Sequence, residues 1–276
     1  MALELGLTGL VLLAALLHAT WNALVKGESS QLRAYVLLNL AAAAPATALL
    51  LSVPGPAVES WRYLAASGAL QLVYYVLLFR AYRWGDLSLV YPLARGSAPL
   101  LVAVGSALYA GEALDSLRAA GVALVSLGIA SLALGRTRGG ARPVLYALAT
   151  GAAIAAYTVV DALGVRQSGS ALGYIGWIFI ANAAPTVLVL PFAWRLLPGP
   201  GPGRLVLGGL MVFGSYGLVI WALSLGAMAS VAALRETSVL IAAAIGSVLL
   251  GEPFGPRRIA ASALVALGLV LLNVRA

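Results

Sequence analysis

With 62% hydrophobic and only 9% charged residues in 276 positions, and a mean hydropathy of +1.00, the chain departs from soluble domains, where about a quarter of residues are charged. Its net charge of +8 does not mark a nucleic-acid binder, because the arginines stand singly or in pairs between apolar runs, as topology determinants do; the lipid bilayer is the expected surrounding. The absence of cysteine and the single histidine, His18, exclude a disulfide framework and a thiol nucleophile, and leave too few ligands for a zinc site or a His-based triad.

A helix needs about 20 residues to cross about 30 Å of hydrocarbon. Cutting the chain at its charged, Pro-rich and Gly-rich punctuation gives ten such spans: 5–25, 34–53, 63–82, 87–109, 118–135, 143–164, 171–194, 205–224, 227–250 and 258–274. The runs lack the alternation of a β-barrel. The first lacks a basic leader and a cleavage site, so it reads as a retained transmembrane helix. Its His18, Trp21 and Asn22 fall at i, i+3 and i+4 on one helical face. Polar groups are expensive against lipid, so this face must look inward. His18 is either a proton carrier or a hydrogen-bonded core residue.

The third span repeats the spacing with Gln71, Tyr74 and Tyr75. Both tyrosines lie near mid-span, which favours an internal cavity over an interface belt. Trp61, Tyr63, Tyr109 and Trp194 lie at span ends and read as belt residues. In the fourth span, Tyr91-Pro92-Leu93-Ala94-Arg95-Gly96-Ser97-Ala98-Pro99 places two prolines around an arginine. The expectation is a broken helix near the midplane, with freed carbonyls facing a wet cavity. The sixth span offers Tyr157 and Asp161 at i, i+4, with Asp161 close enough to the span end to reach water. The seventh offers Asn182 and Trp177 beside Pro185 and Pro191.

The ninth span carries Arg235-Glu236 at depth, where a charge costs roughly 2.5–3.5 kcal/mol on insertion scales. Adjacent helical side chains diverge by about 100°, so the two cannot simply pair and must find partners elsewhere. Arg95, Arg235 and Glu236 either line a cavity that receives a solute or act as partnered pegs between helices. The functional expectation assigns one arginine, preferably Arg95, to a carboxylate or phosphate-like group, for which a planar fork of donors suits. Glu236 would then bind an amine or carry a coupling proton. Gly111-Glu112 and Gly251-Glu252 precede the fifth and tenth spans and read as helix caps. Gly105-Ser106 and Gly246-Ser247 read as close helix packing.

A shift of about 140 residues lays Arg95 on Arg235, Leu100 on Leu240, Gly111-Glu112 on Gly251-Glu252, Arg118 on Arg258 and Leu127-Gly128 on Leu267-Gly268. Slipped by one, it lays Asn22-Ala-Leu24 on Asp161-Ala-Leu163. Two five-span halves follow, 1–137 and 138–276. Five is odd, so the second half enters the membrane from the opposite side, an inverted repeat of the kind that builds transporters.

These halves, the polar first span His18-Ala-Thr-Trp-Asn-Ala-Leu-Val-Lys26 and the twin Gly-Glu pairs resemble the EamA type of the drug/metabolite transporter superfamily, over essentially the whole chain. The resemblance implies an all-α polytopic membrane protein of ten transmembrane helices in two inverted repeats, with a central cavity and alternating access. It also implies movement of a small-molecule metabolite, commonly efflux of amino acids or related compounds. No cofactor is implied, protons enter as a candidate coupling ion, and monomer and dimer both stand open. The alternatives are a lipid-linked-substrate flippase and an intramembrane enzyme; against the enzyme, the chain has no paired-His motif and no Gly-x-Ser-x-Gly elbow. Odd-numbered connections hold Lys26, Arg33, Arg80, Arg83, Arg136, Arg138, Arg142, Arg195, Arg204, Arg257 and Arg258; the opposite side holds Arg62, Arg118, Arg166 and Arg275. The positive-inside rule places the odd connections in the cytoplasm and both termini outside a multi-pass inner (plasma) membrane protein.

Overall fold

A computed structural model describes residues 2–25, 30–85, 87–133, 141–193, 202–250 and 255–273. The described chain is helical: α1 (Ala2–Val25), α2 (Gln31–Leu50), α3 (Trp61–Trp84), α4 (Leu87–Ala110), α5 (Ser116–Ser131), α6 (Ala141–Gln167), α7 (Ala171–Ala193), α8 (Pro202–Leu225), α9 (Met228–Arg235), α10 (Thr237–Leu250) and α11 (Pro256–Asn273), with a 3-10 turn at Val58–Ser60. Among the described residues, six helical stretches are long and apolar enough to cross a membrane, and Ser116–Ser131, Ala171–Val187 and Ile259–Asn273 are shorter apolar helices. The chain is a polytopic helical membrane protein in these terms.

Local chemistry sets the ends. Ser30 caps α2 by accepting from the Arg33 backbone N at 3.2 Å, and Asp115 caps α5 by accepting from Arg118 N at 2.8 Å. Pro202 and Pro256 open α8 and α11, positions where a missing N–H is harmless.

The helix expected to break does not. Pro92 and Pro99 lie inside a continuous α4, and the interruption falls instead in the predicted ninth span, between α9 and α10. The cause is a tightened turn, not a proline. Glu236 N bonds back to Ala233 O at 3.1 Å and Val239 N to Glu236 O at 3.0 Å, both spanning three residues instead of four. The Thr237 hydroxyl then donates to the displaced Leu234 carbonyl at 2.7 Å.

The helices pack largely across the two halves of the chain: α3 and α4 against α6, α1 against α8, α9 and α10, α2 against α7 and α8, and α5 against α11. Small residues permit the closest crossings. A Cβ on Gly121 would stand 2.9 Å from Gly268 O, and one on Gly268 would stand 2.7 Å from Gly121 O, so α5 and α11 touch backbone to backbone. The apolar core runs through the bundle from Val11 and Val102 to Ile178, Ile220 and Met228. Gly105 has the expected close neighbour, Val159, at 3.0 Å from an added Cβ; Glu252 lies outside the described residues.

Candidate functional site

A cavity of about 280 Å³ lies inside the bundle. α1 contributes His18, Trp21 and Asn22; α3 contributes Gln71, Tyr74, Tyr75 and Tyr82; α4 contributes Tyr91 and Arg95; α6 contributes Thr150 and Tyr157; α8 contributes Ser215 and Tyr216; and α9 contributes Arg235. A contiguous pocket of about 250 Å³ shares Trp21, Tyr75 and Tyr82 and adds Tyr35 and Asn39 of α2. The i, i+3, i+4 faces foreseen on α1 and α3 thus meet in one space.

Six tyrosines and a tryptophan stand in the wall. Tyr74 stands edge-on to Tyr157 at 5.9 Å between ring centroids, Tyr157 to Tyr216 at 6.1 Å, and Tyr216 to Phe179 at 6.2 Å. Such edge-to-face chains fix ring orientation while leaving hydroxyls free for polar work. On α1 the Trp21 Nε1 donates to His18 Nδ1 at 3.3 Å, and Asn22 donates to the His18 carbonyl at 2.8 Å. The Gln71 amide donates to Ser67 Oγ at 3.3 Å.

The two arginines differ sharply in what they touch. Arg95 Nε lies 2.7 Å from Glu236 Oε2, with both side chains buried. Neither atom has an aligned hydrogen-bond partner, so this is a charge contact more than a directed bond. Its Nη2 donates weakly to Ser238 Oγ at 3.4 Å. Arg235, 7% exposed, has no carboxylate in contact among the described residues. Its guanidinium lies 5.3 Å from the centre of the Tyr216 ring, a cation–π seat that leaves the in-plane donors open to the cavity. The tightened turn at Glu236 separates these two roles by sending its carboxylate to α4 and its neighbour's guanidinium to the cavity.

Three expected site residues do not line the space. Glu236 sits behind Arg95. Asn182 lies on α7 with Oδ1 buried and unpaired. Asp161 reaches no water, contrary to its expected place near a span end: it is fully buried, accepting from Tyr174 Oη at 3.0 Å and from Tyr216 Oη. Tyr216 was legible by the argument used for Tyr74, since it is a tyrosine at mid-span in Gly214-Ser215-Tyr216-Gly217. Tyr82, near the end of α3, carries no such signal.

Glu112 does cap a helix, though not the one that follows it. Gly111 adopts φ +66°, a left-handed turn open to glycine, and Glu112 crosses to the other half. There Oε2 accepts from Met228 N at 2.8 Å, at the start of α9, while Oε1 meets Arg166 Nη1 at 2.5 Å. Arg166 also donates to Leu223 O at 2.9 Å and Gly226 O at 2.6 Å. On the same face Ala57 N bonds Ser168 O at 2.8 Å and Ser170 Oγ bonds Pro54 O at 3.0 Å. This end of the bundle is stitched shut, whereas the cavity lining reaches Asn22 and Tyr82 near the opposite ends of α1 and α3.

Helices long enough to span a bilayer around an internal polar cavity define a polytopic membrane protein of transporter type. Residues 141–274 match the EamA-like transporter family. A solved structure titled only "Crystal structure of protein" superposes with a TM-score of 0.76 at 17% identity, over 97% of this chain and 96% of its own; a likeness at that identity is one of fold alone. No curated protein matches the chain.

Proposed function

We propose that the protein is a secondary transporter, an exporter or exchanger, of a small polar metabolite bearing a carboxylate or phosphate group, amino acids included. Transport runs by alternating access of two inverted five-helix halves, 1–137 and 138–276, in the cytoplasmic membrane. The observation that carries this reading is an unpaired buried guanidinium, Arg235, facing a cavity walled by tyrosine, tryptophan, histidine and amide groups. A buried cation without a counter-ion is costly unless it meets an anion, and binding at the interface of repeats is the usual transporter arrangement.

The packing supports the inverted layout. Pairs exchange partners between halves: α3 with α6 answers α8 with α1, and α4 with α6 answers α9 and α10 with α1, while α2 with α7 and α5 with α11 answer themselves. The contact of Gly121 with Gly268 likewise answers that of Gly128 with Ala261, since the 140-residue shift carries 121 to 261 and 128 to 268. The cavity lining reaches Asn22 and Tyr82, away from the end tied by Glu112 and Arg166, and the positive-inside rule assigns that side of the protein to the cytoplasm. A lipid flippase is less well supported, because the apolar crevice of about 450 Å³ between α4 and α6 shares no residue with the polar cavity.

The test is reconstitution into liposomes with labelled glutamate, lysine, lactate, succinate and glycerol 3-phosphate. At least one anionic or zwitterionic solute is expected to exchange, and Arg235→Gln is expected to abolish that flux in a monodisperse, correctly inserted protein. Undiminished flux in that variant would remove Arg235 from the site.

A further inference from the structure

We infer that Asp161 is a proton-binding site, separate from the solute cavity, that makes proton and anion move together. This rests on the transporter reading above and adds to it the coupling ion and its stoichiometry. Asp161 is completely buried on α6, one helical turn beyond Tyr157 toward the sealed end. A carboxylate there is expensive to keep without a cation beside it, yet its immediate neighbours are hydroxyls.

α3 presents the Ser67 hydroxyl; α7 presents Tyr174, which donates to Asp161; α8 presents Tyr216, which also donates to it; and α9 supplies the charge of Arg235, which acts on it without contact. On α6 itself Tyr157 faces the cavity and Arg166 is held by Glu112. α4 keeps Arg95 on Glu236, and Glu59 of the 3-10 turn is exposed. A metal cation needs several free oxygen lone pairs, whereas these hydroxyls are turned to donate to the carboxylate. A proton needs one, and a hydroxyl that donates to a carboxylate can rotate to accept from a carboxylic acid.

Two polar routes join Asp161 to the solute space. One is Tyr216, which bonds the carboxylate, walls the cavity and carries Arg235 over its ring. The other runs from Gln71 in the cavity wall through Ser67. Protonation of Asp161 is therefore felt at the anion seat. Charge fixes the sign: Arg95 and Arg235 balance Glu236 and Asp161, so an entering monovalent anion leaves the buried set at minus one, and a proton on Asp161 restores neutrality. Proton and anion thus bind cooperatively and cross together without net charge movement, the direction being set by the sum of their gradients.

The experiment compares the full-length wild type, Asp161→Asn and Glu59→Gln in liposomes, using the five solutes named above under pH, sodium and electrical gradients. Wild type is expected to accumulate a monovalent anion about tenfold per pH unit, since one proton per solute converts a tenfold proton ratio into a tenfold solute ratio, with no response to sodium or to voltage. Asp161→Asn is expected to lose accumulation and Glu59→Gln, at an exposed carboxylate, to keep it. Accumulation retained in Asp161→Asn, driven by sodium, or lost instead in Glu59→Gln overturns the assignment. Infrared titration needs no solute: a protonated-carboxyl band present in wild type, shifted in Asp161→Glu and missing in Asp161→Asn is expected, and its absence from wild type refutes the proposal. If wild type moves no solute under any gradient, the transporter reading fails, and the infrared result alone decides whether Asp161 binds a proton.

Discussion

Arg95 and Arg235 occupy corresponding places 140 positions apart, but only Arg95 touches a carboxylate among the described residues. Removing Arg95 strands Glu236, 2% exposed, as an uncompensated buried anion. Breaking a buried pair in this way costs about 3–5 kcal/mol, so Arg95→Gln is expected to lower the thermal midpoint in detergent markedly. Arg95→Gln combined with Glu236→Gln is expected to recover most of that loss. Arg235→Gln is expected to lower the midpoint less than Arg95→Gln, because no carboxylate among the described residues is in contact with it. A double variant as unstable as Arg95→Gln alone would show that the pair is not what holds α4 to the turn at Glu236. Adjacency in the chain was enough to foresee that Arg235 and Glu236 diverge. Which arginine the carboxylate reaches depends on the packing of α4 against α9, and no local pattern encodes that.

At the scale of elements, the helical ladder follows directly from apolar runs of bilayer length. The interruption does not, because its cause is invisible to propensity. The prolines of α4 sit in a helix held by α5, α6 and α9, whereas Glu236 lies in a sequence, Leu234-Arg235-Glu236-Thr237-Ser238, with neither proline nor glycine. Only the pull of a buried ion pair and the Thr237 hydroxyl on Leu234 O explain the tightened turn. Thr237→Val leaves that carbonyl unsatisfied in an apolar surrounding, a loss of about 1–3 kcal/mol, read as a lower midpoint. The seam of α5 on α11 gives a sharper test. Gly121→Leu must force apart backbones whose nearest atom lies 2.9 Å from an added Cβ, so it is expected to destabilise more than Gly6→Leu, where nothing lies within 4 Å. Equal midpoints for the two would deny the close crossing.

For the molecule as a whole, the proposed alternating access requires that the end tied by Glu112 and Arg166 open during the cycle, and the contacts there say where it must part. Glu112, before α5, holds Arg166 at the end of α6 and the first amide of α9, while Arg166 holds the last carbonyls of α8. One carboxylate therefore ties together elements from both halves, and the tie is partly solvent-exposed, so it can be exchanged for water without the penalty of a buried pair. Glu112→Gln keeps the shape but weakens both contacts, and is expected to shift the population toward a state open at that end. Because the chain has no cysteine, a single Ile154→Cys in the cavity wall can report the change. A membrane-impermeant thiol reagent supplied at the sealed face should label it slowly in the otherwise unchanged protein and several-fold faster with Glu112→Gln, while Gly111→Ala, which strains the left-handed turn that aims Glu112, should move labelling in the same direction. Equal labelling rates in all three backgrounds would mean that the Glu112–Arg166 tie rides on the closed state without holding it.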